Sequence, residues 1–234
     1  MIKMICVSIA NSNIEDMFKN SKKAIGLGAN YIEIRVDYLE NLSLKSLNGL
    51  AKIISLPVPI ILTCRKKDEG GKASLDENSR LKILDVLINF KPSYLDLEYN
   101  MDKNILNSLI KKCHENGVKV ILSYHDFKGT PEPSKANSII NSMKNLNPNV
   151  IKVIFTANTI YDNNTIFEIL KNHTNEDLEI VSFCMGDKGI ISRVLSPFYG
   201  ALFTFASLDI QTAPGQISLI EMLKVHEIIE KYIC

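Results

Sequence analysis

A lysine stands inside a run that otherwise reads as a buried strand, Val150-Ile-Lys-Val-Ile-Phe-Thr-Ala157, bounded by Asn147-Pro148-Asn149 and by Asn158. Lysine is rarely buried without a charged partner or a chemical task. An edge strand, or a stem that carries its ammonium out to water, explains Lys152 as a structural residue. The chemical alternative is a desolvated amine that attacks a carbonyl and forms a Schiff base. Other polar residues hold comparable places, on or just after short apolar runs: Ser8, Glu33, Arg35, Arg65, Asp96, Glu98, His125 and Arg193. Each also has a structural reading. Glu33 with Arg35, or Asp96 with Glu98, would serve as internal ionic filling, His125 beside Asp126 as a structural histidine, and Arg193 as a helix cap. Taken together the set is chemically coherent, with a lysine to condense with a ketone, a histidine to carry protons near neutral pH, and arginines to hold a carboxylate bidentately. So many ionisable groups at one end of one domain would be a costly way to fill a core.

The elements that must gather these residues alternate strand and helix along the whole chain. Met4 to Ala10 reads as a strand, and Asn11-Ser-Asn then caps a helix over Ile14 to Gly28, with Ile14, Met17, Phe18, Ala24 and Ile25 at helical spacing. Tyr31 to Leu39 alternates with period two, setting Glu33, Arg35 and Asp37 against Ile32, Ile34 and Val36. Further strands are expected over 59–65, 93–99, 119–127, 150–157, 178–185 and 201–206. Helices are expected over 43–55, 76–90, 104–117, 135–146, 160–173, 189–196 and 217–232. That makes eight strands and eight helices, with strand onsets recurring about every 28 residues, and predicts an α/β fold, a single (β/α)8 TIM barrel over residues 1–234. A doubly wound open sheet shares the alternation. However, no Gly-x-Gly-x-x-Gly follows the first strand and no Gly-x-x-x-x-Gly-Lys-Ser/Thr occurs, so the nucleotide signatures of open sheets are missing and the barrel is favoured. Barrel enzymes react at the C-terminal ends of their strands, where the polar set falls.

Composition narrows the function classes. The 234 residues carry 27 Lys and Arg against 26 Asp and Glu, so no global basic field draws nucleic acid and any anionic ligand must be met locally. The apolar runs are far shorter than a membrane span, and the N-terminus lacks a signal-peptide h-region, which predicts a cytoplasmic protein with no membrane partner. Five scattered cysteines (Cys6, Cys64, Cys113, Cys184, Cys234) fit reduced thiols, and the four histidines show no paired zinc-ligand spacing.

In order along the chain stand Glu33-Ile-Arg35-Val-Asp37, Thr63-Cys-Arg65 with Glu69-Gly-Gly71, Asp96-Leu-Glu98, Ser123-Tyr-His125-Asp-Phe127, Lys152 with Ala157, Ser192-Arg193, and Ala213-Pro-Gly-Gln216-Ile-Ser218. Each motif alone is weak, but the ordered set resembles the type I 3-dehydroquinate dehydratases, the Schiff-base enzymes of the shikimate pathway. The resemblance implies that Lys152 forms the imine, that His125 acts as general base and then general acid, and that Glu69 orients or assists His125. It further implies that Glu33, Arg35 and Arg65 contact the ring hydroxyls of 3-dehydroquinate, that Arg193 holds its carboxylate, and that Thr212 and Gln216 close over it. Ser8 is a weaker contact, and Thr212 departs from the serine common in the family while keeping the hydroxyl. No metal or organic cofactor is implied, and a homodimer is.

Two other functions fit parts of the pattern. An aldolase-like lyase on a sugar phosphate would also use a lysine imine, but it would want a phosphate nest near strands seven and eight, for which Met185-Gly-Asp-Lys-Gly189 is a faint candidate. A non-catalytic barrel that binds a metabolite would not need Lys152 and His125 together. The segment from Ser207 to Gln216 reads either as a lid over the barrel mouth or as a rigid Pro-Gly turn.

Overall fold

Short β-branched runs between capped helices give eight strands: β1 (Ile5–Ile9), β2 (Tyr31–Arg35), β3 (Ile60–Thr63), β4 (Tyr94–Glu98), β5 (Lys119–His125), β6 (Val150–Thr156), β7 (Glu179–Met185) and β8 (Thr204–Ala206). The computed structural model describes residues 4–173, 178–209 and 211–233, so Cys234, and position 210 within the loop after β8, lie outside the described residues. The strands run in the order β7-β6-β5-β4-β3-β2-β1-β8, every neighbouring pair parallel. At the seam the Leu202 N–H donates to the Ile180 carbonyl at 2.8 Å, drawing the two edges together. The sheet is thus a nearly closed (β/α)8 barrel, as the alternation predicts.

Around it lie α1 (Ile14–Gly26), α2 (Leu44–Leu47), α3 (Leu50–Ile54), α4 (Glu77–Asn89), α5 (Lys103–Glu115), α6 (Pro133–Lys144), α7 (Asn163–His173), α8 (Ile190–Leu195) and α9 (Leu219–Ile233). Side-chain caps fix the starts of α1, α4 and α5 among them. Asn13 accepts from the Asp16 N–H at 2.9 Å, Asp76 from Ser79 at 3.0 Å, and Asp102 from Asn104 at 2.9 Å. Several boundaries shift by up to three residues, the eighth strand beginning at Thr204 rather than at 201 and α7 at Asn163 rather than at 160, and two elements differ more. The helix over 43–55 is split into α2 and α3 around Asn48-Gly49, poor helix formers. Gly49 also packs on α1, where a Cβ would come within 2.9 Å of Ile14. The second strand stops at Arg35, and Val36–Tyr38 turns as a 3₁₀ segment. Asp37 therefore leaves the strand alternation and folds back on Arg35. No helix among the described residues is long and apolar enough to cross a membrane.

Strand alternation sorts the core into two shells. Outward residues such as Ile32, Ile34, Leu95, Leu97, Ile151 and Val153 pack under the helices. Inward residues Tyr31, Ile61, Tyr94, Ile121, Val181 and Phe203 form an apolar floor inside the barrel, with Tyr31 and Phe203 ring centroids 4.8 Å apart. A fully buried aliphatic side chain stabilises by roughly 1.5–3 kcal/mol, so the well-filled helix layer can carry the fold while the upper barrel is left polar. Above the floor the inward positions become Ser8, Glu33, Thr63, Asp96, Ser123 and Lys152, all buried. Strand register sets them side by side, pairing Ser8 with Glu33, Thr63 with Asp96, and Ser123 with Lys152.

Candidate active site

Lys152 projects from the middle of β6 into this polar layer and is only 5% exposed. Its Nζ donates to Asp96 Oδ2 at 3.1 Å and lies 3.6 Å from Glu33 Oε1, and it sits 4.7 Å from the centroid of the Phe205 ring. Neither carboxylate depends on the lysine alone. Glu33 also accepts from the hydroxyls of Ser8 at 2.7 Å and Thr63 at 2.9 Å. Asp96 accepts from Ser123 at 2.6 Å and from Arg65 at 2.8 Å. Burial by itself would push both carboxyls up. Lys152 and Arg35, with the Ser8 bond, outweigh it at Glu33, and Arg65 and Lys152 outweigh it at Asp96, so both stay below the usual carboxylate range.

Arg65, just past β3, ties the layer together. It donates to Ser123 at 2.8 Å and lies 3.6 Å from Glu69 and 3.7 Å from Glu98. Burial would lower its pKa, but Asp96, Glu98 and Glu69 overcome that and hold the guanidinium charged. Glu98 is in turn gripped by the buried Arg80 at 2.8 Å and by the Lys66 N–H at 2.8 Å. Arg35 makes a bidentate pair with Asp37, at 2.9 and 2.8 Å.

His125 ends β5, its Nδ1 3.4 Å from Glu69 Oε2. Glu69 reaches it from the 3₁₀ turn Lys67–Glu69. The next two residues explain why that turn lies so close. Gly70 has φ of +84°, and a Cβ on Gly71 would stand 2.0 Å from the Arg65 carbonyl oxygen, so only a glycine lets the loop fold back against the strand end. Burial first, then Arg65, Lys152 and Arg35, lower the His125 pKa well below the ordinary histidine value. The imidazole is therefore neutral at pH 7 and available as a base. Burial raises the Glu69 carboxyl, with Arg65 as the main counterweight. The half-exposed Phe127 stacks over His125 at 6.2 Å between ring centroids.

Arg193 enters from α8 and differs from every other cation in the layer. It is 1% exposed, and among the described residues no carboxylate lies within salt-bridge distance of it. One nitrogen donates to the Pro214 carbonyl at 3.2 Å, while Nε has no partner among the described residues. Its face rests on Phe183, 4.3 Å from the ring centroid. Burial lowers its pKa to about 10, which still leaves it charged at pH 7. The helix that carries it is pinned by Thr204, whose hydroxyl donates to the Arg193 carbonyl at 2.6 Å, and by Ser192, which accepts from the Cys184 N–H at 2.9 Å.

These groups enclose a cavity of about 200 Å³ at the C-terminal ends of the strands. Of the residues singled out in the sequence, Glu33, Arg35, Arg65, Glu69, His125, Lys152, Arg193, Thr212 and Gln216 line it, whereas Ser8 lies beneath Glu33 and does not. In the loop after β8, Gln216 Oε1 accepts from the Thr212 N–H at 2.7 Å. Gly215 has φ of +70°, and a Cβ there would stand 2.4 Å from the Gly186 carbonyl oxygen, which keeps the loop drawn across the mouth. Sequence reasoning left out the apolar wall of Ile154, Phe183, Met185 and Phe205. Inward parity with Lys152 marks Ile154, but aromatic and aliphatic residues in strands read first as core. Among the described residues no three His, Cys, Asp or Glu side chains are grouped to hold a metal ion. Chemically, a buried amine, a neutral imidazole and a single uncompensated cation suit a small molecule that bears both a carbonyl and a carboxylate.

Known proteins point the same way. A 3-dehydroquinate dehydratase of Thermococcus onnurineus is 31% identical over 90% of this chain and 94% of its own. One from Thermococcus gammatolerans is 33% identical over 87% and 92%. Among solved structures, the type I 3-dehydroquinate dehydratase of Clostridium difficile with covalently modified comenic acid superimposes with a TM-score of 0.90 at 27% identity, covering 99% of this chain and 94% of that one. The family model for type I 3-dehydroquinase matches residues 5–233, nearly the full length, and the chain belongs to that family.

Proposed function

We propose that the protein converts 3-dehydroquinate to 3-dehydroshikimate, a step of aromatic biosynthesis, with Lys152 as the imine-forming amine and His125 as the proton carrier. The Lys152 ammonium gives a proton to neutral His125 and its Nζ bonds to the ketone carbon. The imidazolium returns that proton to the former ketone oxygen, a second proton passes to it from the attached nitrogen, it leaves as water, and an iminium remains. His125 next removes a proton from the carbon beside the iminium carbon, and the electron pair moves onto nitrogen as an enamine. The enamine pushes out the hydroxyl of the neighbouring carbon, which takes the proton back from His125 and departs as water. Hydrolysis of the iminium consumes one water, frees the enone and restores Lys152, so one water is lost overall. Arg193 holds the carboxylate, while Glu33, Arg35 and Arg65 face the ring hydroxyls.

The observation that carries this reading is the pairing of a buried, carboxylate-flanked Lys152 with an Arg193 that has no carboxylate of its own. Borohydride added with 3-dehydroquinate is expected to inactivate the protein and leave a reduced, mass-shifted adduct, mapped by peptide mass spectrometry to the segment holding Lys152. An adduct on another lysine, or none with activity intact, would overturn the mechanism.

Arg193→Met is expected to raise KM by about 10- to 100-fold, the range for losing a charge-assisted hydrogen bond, with a smaller change in kcat. Steady-state kinetics decide this. An unchanged KM would move the carboxylate to another group. The variant should fold, because the substitution strands no buried partner charge.

A further inference from the structure

The Glu69 carboxylate has two sides. Its Oε2 faces His125 Nδ1 at 3.4 Å and Arg65 at 3.6 Å, while its Oε1 accepts from the side-chain amide of Asn100 at 3.1 Å. Asn100 sits in the tight turn directly after β4, outside the cavity wall. That turn is fixed at both ends, since the Tyr99 N–H donates to the Ser123 carbonyl at 2.8 Å and the Met101 N–H to the Glu98 carbonyl at 3.2 Å. The backbone therefore presents the amide to Glu69, and little freedom is lost in making the bond.

We propose that Asn100 is a positioning residue for proton transfer: by donating to Glu69 Oε1 it keeps Oε2 as a hydrogen-bond acceptor for His125 Nδ1–H, which leaves His125 Nε2 as the base. This rests on the function proposed above. The logic is one of tautomers. A neutral imidazole carries one proton on one of its two nitrogens, and the nitrogen that faces a carboxylate keeps it. If Glu69 took up a proton, it would offer a donor to Nδ1, the imidazole proton would move to Nε2, and the base would face the wrong way. Burial of Glu69 and the nearby Glu98 and Asp96 favour that uptake, and Arg65 and Asn100 oppose it. Around His125, Arg65, Lys152 and Arg35 disfavour its cationic form. Arg65 is shared among Asp96, Glu98 and Glu69, so it is not dedicated to this task. Asn100 bonds to Glu69 alone among the described side chains.

Asn100→Leu and Asn100→Asp test the idea, and both should fold because the side chain is exposed. Glu69 and His125 titrate as a coupled pair that sets the acid limb of kcat against pH. Removing the donor should lift that limb by about half a unit to one unit, the size of one hydrogen bond, with KM unchanged within about twofold. Replacing the donor by a carboxylate should lift it further, because a like charge beside Glu69 favours the protonated form. Nitrogen-15 spectra of the Asn100→Asp protein at neutral pH should show His125 shifting toward the Nε2–H tautomer. Acid limbs that coincide with wild type in both variants, or an effect on KM alone, would overturn the proposal. Borohydride trapping is run on the same samples. Loss of the adduct in wild type would strike at the function itself, whereas a retained adduct with an unmoved acid limb would strike only at Asn100.

Discussion

Lys152→Ala is expected to lower turnover by at least about 10⁴-fold and to abolish the borohydride adduct in the same sample, since deleting a covalent nucleophile removes the route through the iminium. The joint loss is the informative result, because a fall in rate alone would follow from many kinds of damage. The fold should survive. Breaking a buried ion pair costs about 3–5 kcal/mol when the remaining charge is stranded. Here Asp96 keeps Arg65 and Ser123, and Glu33 keeps Ser8 and Thr63, so the cost should sit at the low end. Lys152→Met, which fills the same space, gives a better-packed version of the same test. Turnover within about tenfold of wild type in either variant would mean that the amine is not the nucleophile.

His125→Ala is expected to separate the covalent step from the proton transfers. The adduct should still form, and kcat should drop by about 10²- to 10⁴-fold, the usual contribution of a positioned acid–base group. Because His125 also moves protons during imine formation, the imine should form more slowly but persist, visible as a larger trapped fraction than in wild type after long incubation with substrate. The pH dependence of the wild type gives a second handle. His125 in the free folded protein takes up its proton only well below the ordinary histidine value, so the acid limb of kcat/KM should fall below pH 6.5. Near-normal turnover in His125→Ala, or an acid limb above 6.5, would make the residue structural.

The barrel was legible in the sequence because its signal is repeated: eight short β-branched runs separated by helical periods leave few topologies open. The charged residues were legible for a different reason. Glu33, Arg65, Lys152 and Arg193 stand at positions where burial without a purpose is expensive, so their convergence at one end of the barrel marks them where each alone has a structural reading. What the sequence did not reveal depends on three-dimensional approach. Asp37 lies two residues beyond Arg35, and period two placed it on the strand face. It reaches Arg35 through a turn that ends the strand early. Asn48-Gly49 reads as a weak spot in a helix, and the break becomes compulsory only once Ile14 of α1 is packed against it. Asn100 is an ordinary loop asparagine until β4 and the Gly70-Gly71 turn bring Glu69 to its side chain. Phe183 and Phe205 fill a core position and wall a cavity with the same atoms, and sequence alone does not separate those tasks.

The two carboxylates flanking Lys152 also bear on how charge is conserved along the reaction coordinate. At rest Nζ is a cation between Asp96 and Glu33. In the proposed mechanism the iminium carries the same unit charge at nearly the same point, so the surroundings need no reorganisation when the imine forms. The enamine does not. Once the proton is removed, nitrogen is neutral and its attraction to Asp96 and Glu33 is lost, so the two anions are held only by their other partners, Arg65 and Ser123 at Asp96 and Ser8 and Thr63 at Glu33, in a setting too buried for water to screen them. The pocket is thus complementary to the species on either side of the enamine and poorly matched to the enamine itself. In the proposed mechanism those two flanking species are the iminium ions that hydride reduces, so the electrostatic preference assigned to the dehydration is the same one on which the expected trapping of the nitrogen rests.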